Sequence, residues 1–268
     1  MPQPDRRTEQ SRPGVFTIRT PRVVAARRLH RRRDRDETGR FLAEGPQAVR
    51  EALRTGAVAE TFATAEAAAR YPELTAGASL VDEAAIQALA DTVQPQGLVA
   101  VCRQRDVPLA AAIDRAPRLT AVCVDIRDPG NAGTVLRTAD AAGATAVVFA
   151  GESVDPYNGK AVRASAGSLF HVDVVRVRDA AACVEALRAA GIQVLAADGY
   201  GDTDLFDLDT LDRPTAWLFG SEAHGLPRDL DADRRVRVPL YGGAESLNLA
   251  AAAAVCLYTS AQALRRQS

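Results

Sequence analysis

The chain has almost no lysine: Lys160 stands alone among 33 basic residues, so nearly all of its positive charge is arginine. It also lacks paired cysteines. Cys102, Cys123, Cys183 and Cys256 are scattered without a C-x-x-C pair, and three of them fall in apolar stretches that read as strands or helices. That pattern reads as buried free thiols in a reducing compartment, not as disulfides or a zinc site. His30, His171 and His224 lack metal-ligand spacing, so the expectation is a reaction without a metal. No apolar run reaches the ~18 residues a membrane span needs, and the Ala-rich stretch from Leu247 to Tyr258 reads as a buried helix. The N-terminal charges are not followed by an apolar segment of the signal-peptide kind. A cytoplasmic protein with no membrane partner is expected.

The 268 residues suffice for one large domain or two modest ones. The formal net charge of −1 hides an asymmetry, because twelve arginines and five acidic residues precede residue 41. Guanidinium groups match phosphate oxygens bidentately, and a cationic segment gains affinity for nucleic acid by releasing counterions. Set against a solvated tail, nucleic-acid contact is the stronger reading of this run.

Residues 1–20, with Pro2, Pro4, Pro13 and Gly14 among polar residues, read as a flexible basic leader. A short basic helix over Pro21–His30 opens a small α/β domain, residues 21–105. Its strand candidates are Phe41–Gly45, Ala59–Thr64, Ser79–Val81 and Gly97–Cys102. Helices are expected after Pro46, near Glu66–Arg70 and over Asp82–Ala90, with Asp82 as N-cap. Residues 106–117, holding Pro108 and Pro117, read as a linker or bridging helix. From 118 to 268 strands and helices alternate. Strand candidates are Leu119–Ile126, Ala146–Ala150, Val172–Val177, Gln193–Ala197, Ala216–Phe219 and Arg235–Pro239, with helices over Thr134–Ala142 and Ala180–Ala190. Apolar strands joined by helices imply a parallel sheet covered on both faces.

Ligands of such sheets bind in loops at the carboxyl ends of the strands. Three of those loops carry unusual residues: Asp125–Arg137, Gly220–Pro227 and Pro239–Asn248. Singly, each has an ordinary explanation. Pro129, Gly130 and Gly133 suit turn punctuation, Gly220 and Gly225 suit turns, and Asn248 suits a helix N-terminus. A nicotinamide site at Gly199-Tyr-Gly201 is a weak alternative, since Asp204 stands where a third glycine is needed.

Together the segments N-x-G-x-x-x-R (Asn131, Gly133, Arg137), F-G-S-E-x-x-G-L (Phe219–Leu226) and P-L-x-x-x-x-E-S-L-N (Pro239–Asn248) resemble the SpoU, or TrmH-like, methyltransferases of the SPOUT superfamily. Lys160-Ala-Val-Arg-Ala-Ser-Ala-Gly-Ser168 matches a polar helix of the same family, and the likeness covers about residues 117–265. The N-terminal unit more loosely resembles the L30-like RNA-binding domain often fused to it.

The resemblance implies an α/β fold whose mostly parallel C-terminal sheet has a trefoil-knotted topology, preceded by the smaller L30-like domain. It implies a homodimer that uses S-adenosylmethionine to methylate a ribose 2′-hydroxyl in RNA, ribosomal RNA first. Transfer RNA as substrate and a catalytically inactive RNA-binding relative stand as alternatives. Carried over residue by residue, it assigns the chemistry to Arg137, Asn131, Glu222 and Asn248. The cofactor falls to Ala197, Phe219, Gly220, Gly225, Val238, Leu240, Ser246 and Leu247. RNA contacts fall to Arg28, Arg32, Glu44, Arg163 and Ser165. Arginine stays protonated in ordinary surroundings, so Arg137 is read as a phosphate clamp and oxyanion stabiliser more than as a free base.

Overall fold

The computed structural model describes residues 14–266. The described chain divides into two compact units. One is built from residues up to Leu53 together with Val58–Arg103, the other from Arg54–Ala57 together with residues from Gln104 onward.

The first unit runs α1 (Pro21–Arg28), α2 (Arg32–Thr38), β1 (Arg40–Glu44), α3 (Gly45–Arg54), β2 (Val58–Ala63), α4 (Ala65–Arg70), α5 (Pro72–Thr75), β3 (Ser79–Leu80), α6 (Glu83–Leu89) and β4 (Leu98–Arg103). Its sheet has the order β1-β4-β2-β3, with β4 antiparallel to both neighbours. Asp82 caps α6 as expected, its carboxylate accepting the Ala85 N–H at 2.7 Å. Helices α1 and α6 lay Val23, Ala26, Leu29, Ile86 and Leu89 on Phe62 and Val99 of the sheet.

Two features depart from expectation. Residues 1–13 of the expected leader lie outside the described residues, but its last part is held rather than free. The Phe16 N–H donates to Leu80 O at 2.8 Å and the Asp82 N–H to Phe16 O at 3.0 Å. Helix α2 (RRDRDET) has no apolar periodicity to announce it. It forms because Arg35 is buried and donates from Nη1 to the carbonyls of Leu29 and His30, both at 2.9 Å. Orphan carbonyls at the end of α1 are thereby satisfied.

The second unit runs α7 (Leu109–Ile113), β5 (Leu119–Val124), α8 (Pro129–Ala142), β6 (Ala146–Ala150), α9 (Gly159–Ala164), β7 (Asp173–Val177), α10 (Ala180–Ala189), β8 (Gln193–Ala197), β9 (Thr203–Asp204), β10 (Thr215–Phe219), β11 (Arg234–Arg237) and α11 (Leu249–Arg265). Its seven strands lie in the order β7-β6-β5-β10-β8-β11-β9, every pair parallel. The two-residue β9 was not expected. The segment expected as a linker belongs to this unit: the Val107 N–H donates to Val174 O at 2.9 Å and Ala112 is buried in the core.

Both faces of the central strands are covered, which is why they read as unbroken apolar runs. On one face Val122, Val148, Val194 and Leu218 pack against Cys183, Val184 and Leu187 of α10. On the other, α8 and α11 pack on β5 and on each other, and α11 also reaches β10 and β8. Trp217 is fully buried there and donates from Nε1 to Ser260 Oγ at 2.8 Å, fixing α11 to the sheet. All four cysteines are free and buried. Burial pushes the Cys102, Cys183 and Cys256 thiols up to about 12, so they stay protonated and inert.

Candidate active site

The carboxyl ends of β8, β10 and β11 lie side by side: Ala197 is paired with Phe219 on one flank and with Val236 on the other. Three loops leave these ends and the end of β5, and their local chemistry decides where the polar side chains stand.

Helix α8 begins at Pro129, five residues earlier than periodicity predicts. Proline at the first turn needs no N–H partner, and Asp128 caps the helix by accepting the Asn131 N–H at 2.8 Å. Lys160 donates to the other Asp128 oxygen at 2.8 Å. That hydrogen bond, followed by the one from the Asn131 backbone, holds the Asp128 carboxyl below the usual carboxylate range. The Asp-Pro pair is the signal that identifies Asp128, which the sequence reading did not single out. Gly133 lies where α8 meets α9; a Cβ there would stand 2.3 Å from Ala161 O and 2.6 Å from Ala164 Cβ. Its role is a close helix–helix approach, not turn punctuation.

After β10 the chain doubles back. The Ser221 N–H donates to Gly225 O at 3.1 Å and the Gly225 N–H to Ser221 O at 2.8 Å. Gly225 takes φ +68°, while a Cβ on Gly220 would sit 2.3 Å from the Gly225 carbonyl carbon. One glycine supplies the left-handed turn and the other the space for it. The following residues are fastened by Arg235. Its Nη2 donates to Pro227 O at 2.7 Å, Arg228 O at 3.2 Å and Leu230 O at 3.3 Å, and its Nη1 meets Asp198 Oδ2 at 3.0 Å. One guanidinium thus ties the loop after β10 to the residue next to Ala197. Nothing in the sequence pattern distinguished Arg235 from its arginine neighbours.

After β11 the segment leading to α11 is exposed, and Leu240 and Leu247 leave 41% and 39% of their surface open. Asn248 ends it as the N-cap of α11, its Oδ1 accepting from Ala250 N at 2.9 Å and Ala251 N at 3.3 Å.

These loops converge through side chains. Asn131 Nδ2 donates to Glu222 Oε1 at 2.7 Å, and Asn248 Nδ2 donates to Asn131 Oδ1 at 3.3 Å. Each of the three motifs contributes one member, and residues 131, 222 and 248 form one polar chain across three loops. Arg137 lies two turns further along α8, exposed, with no hydrogen-bond or ion-pair partner among the described residues. Among the expected cofactor residues, Phe219 is buried and its ring stacks on Trp217 at 6.5 Å, so its backbone is what remains to meet a ligand. Ala197 and Val238 are half-buried, and Gly225 and Ser246 are exposed.

The expected RNA contacts fare differently. Ser165 is fully buried and donates to Val162 O at 2.7 Å; it closes α9 and does not face RNA. Glu44, half-buried, accepts from Asp91 N at 3.0 Å and from the Thr92 hydroxyl, so its carboxylate holds a loop. Arg28 is paired with Asp34 at 2.6 Å and Arg32 faces Asp36 at 3.6 Å, both with open side chains. Arg163 is half-buried on α9. Among the described residues no group of His, Cys, Asp and Glu could hold a metal ion, and no helix is long and apolar enough to cross a membrane.

Comparison with known proteins agrees with the motifs. Residues 118–258 match the model of the SpoU rRNA methylase family, and residues 20–100 that of an MRM3-like substrate-binding domain. The 23S rRNA (guanosine(2553)-2′-O)-methyltransferase RlmP of Bacillus subtilis is 35% identical over 248 residues, covering 91% of this chain and 97% of that protein. An AdoMet-bound rRNA methyltransferase from Sinorhizobium meliloti superposes with a TM-score of 0.80 at 33% identity, over 94% of this chain and 99% of that one. The SpoU methyltransferase AviRb from Streptomyces viridochromogenes, in complex with AdoMet, gives 0.79 at 32% identity over 93% and 99%. With its motifs gathered at adjacent strand ends, and with this likeness along nearly its whole length, the chain belongs to the SpoU rRNA methylase family.

Proposed function

We propose that the chain transfers a methyl group from S-adenosylmethionine to a ribose 2′-hydroxyl of ribosomal RNA. The observation that carries this reading is the polar chain Asn248–Asn131–Glu222, drawn from three loops beside the aligned ends of β8, β10 and β11. The residues there suit the cofactor. Leu240 and Leu247, on the segment that leaves β11, keep open apolar surface, and the tight Gly220–Gly225 turn follows β10 beside Ala197 of β8, an assembly that suits a flat purine held by backbone groups. Val238 and Ser246, on the same segment as the two leucines, are assigned to the ribose and amino-acid moieties. When bound, the cofactor supplies a methyl group activated by its sulfonium.

The remaining work falls to side chains of this chain. A ribose hydroxyl is a weak acid and gains negative charge as it attacks, so a cation aimed at that oxygen lowers the barrier. Arg137 is exposed, its guanidinium has no partner among the described residues, and its fork can hold the adjacent phosphate while facing the developing oxyanion. Asn131, oriented by Glu222 and Asn248, fixes the loop that presents α8. Arg163 adds an RNA contact on α9.

The C-terminal segment is read as threaded into a knot, which is supported by its course: it leaves β11 near one edge of the sheet and returns as α11 to β10 and β5 at the centre. The homodimer is supported by α11, where Ala251, Val255, Tyr258 and Gln262 form a face at helical spacing and Tyr258 is 53% exposed. A cytoplasmic site of action follows from a ribosomal substrate.

The test is transfer of labelled methyl from S-adenosylmethionine to transcribed 23S rRNA, followed by mapping of 2′-O-methylated positions. One discrete modified ribose is expected. Label in tRNA alone would move the substrate, and binding without any transfer would leave an inactive RNA-binding relative.

A further inference from the structure

A cleft of about 560 Å³ opens on the first unit, between the end of α1 and the end of α6. Its apolar lining is Val24, 41% exposed, with Ala88 and Ala90. Its other walls are Arg27, Arg28, Arg31 and His30, and His30 Nε2 lies 3.2 Å from Ala88 O, which joins the two helices across the cleft.

The arginine run around it is not uniform. Arg35 is buried and satisfied by two carbonyls, Arg28 is neutralised by Asp34, Arg32 faces Asp36, and Arg22 pairs with Glu60 at 2.6 Å. Arg27 and Arg31 are exposed, and their guanidinium groups have no hydrogen-bond or ion-pair partner among the described residues. Two guanidinium groups without a partner among the described residues therefore share this cleft with an apolar lining. Cations set beside an apolar surface suit a polyanion whose bases offer apolar faces.

We propose that this cleft is an RNA-backbone site, with Arg27 and Arg31 on phosphates and Val24 against the nucleoside between them. It rests on the RNA-methylation reading and gives that reading a second foothold on the substrate, outside the methyl-transfer machinery.

Binding of full-length protein to transcribed 23S rRNA, followed across a salt series, tests it. Arg27→Ala with Arg31→Ala should reduce the slope of log affinity against log salt by about 2, one per cation lost. The same pair should weaken binding about 10- to 30-fold at about 0.15 M salt, taking a slope of roughly 0.7 to 0.9 per phosphate. In methyl transfer, KM for RNA should rise while kcat and the affinity for S-adenosylmethionine stay put. Arg27→Lys with Arg31→Lys should recover the slope, which a loss of folding would not allow. As a charge-matched control, Arg50→Ala with Arg70→Ala removes two cations of the same unit outside the cleft and should change little. Equal losses in both alanine pairs, or an unchanged slope in the cleft pair, would overturn the proposal. Steep salt dependence lost with the cleft pair, in a protein that methylates no RNA, would instead sink the methyl-transfer reading and leave the cleft standing.

Discussion

The seven-stranded unit ties its polar site residues to one another, whereas in the four-stranded unit the guanidinium groups of Arg27 and Arg31 have no partner among the described residues and line a cleft with apolar Val24, Ala88 and Ala90. The difference matches the two roles proposed for these surfaces. Positioning a hydroxyl for methyl transfer needs donors and acceptors fixed to within fractions of an ångström, so side chains from separate loops brace each other. Holding an RNA backbone needs charge at roughly the right spacing, and a partner carboxylate would cancel it.

The largest expected effect tests the brace at its foundation. Trp217→Ala should cost about 3–5 kcal/mol in urea denaturation, because it empties the contact between β10 and α11. Ser260→Ala should cost less, about 1–3 kcal/mol, by leaving the indole N–H buried and unpaired. A destabilisation below that range for both would mean α11 is held by something other than this contact. Next in size is Arg137→Ala, for which kcat should fall about 100- to 1000-fold, the usual loss of an oxyanion donor. Arg137→Lys keeps the charge without the fork and should remain well below wild type; near-normal turnover would argue against a bidentate role.

A smaller effect sharpens the account of the cofactor loop. Gly225→Ala forces an L residue to φ +68°, at about 1–2 kcal/mol, yet its Cβ meets nothing within 4 Å. Gly220→Ala drives a Cβ into backbone, so it should weaken S-adenosylmethionine binding more in calorimetry. The reverse order would dissociate the turn from the cofactor. Smallest is Lys160→Ala. The folded Asp128 carboxyl titrates below its unfolded value of about 3.9, so its contribution is complete above that pH and lost as pH falls through the folded value. Removing Lys160 raises the folded value toward the unfolded one, so the share of the acid-side decline in Tm that Asp128 contributes should shrink, while its onset near the unfolded value stays put. Both side chains are about half exposed, so the shift should be slight and screened by salt.

Much of this was legible in order along the chain. The strands of the second unit announce themselves because burial on both faces leaves unbroken apolar runs, as in Leu119–Val124 and Thr215–Phe219. The three motifs were legible for a similar reason, since their glycines and prolines answer local backbone demands. Helix α2 and strand β9 were not, because neither is stabilised by its own pattern. Arg35 makes α2, and the Val236 and Arg237 backbone makes β9. The RNA residues divide along the same line. Ser165 looks as available in sequence as Arg31, and its full burial settles otherwise.

By itself the sequence determined the alternation of strand and helix, the buried thiols and the three loops that carry chemistry, because each depends on residues near one another in the chain. The tertiary structure alone decided which polar groups are already satisfied. Glu222 meets Asn131 across 91 positions and Asn248 meets it across 117, while Arg137 and Arg31 are left open. Hydrogen bonds act over about 3 Å, so whether a charged group is bound or available depends on spatial neighbours that no local pattern encodes.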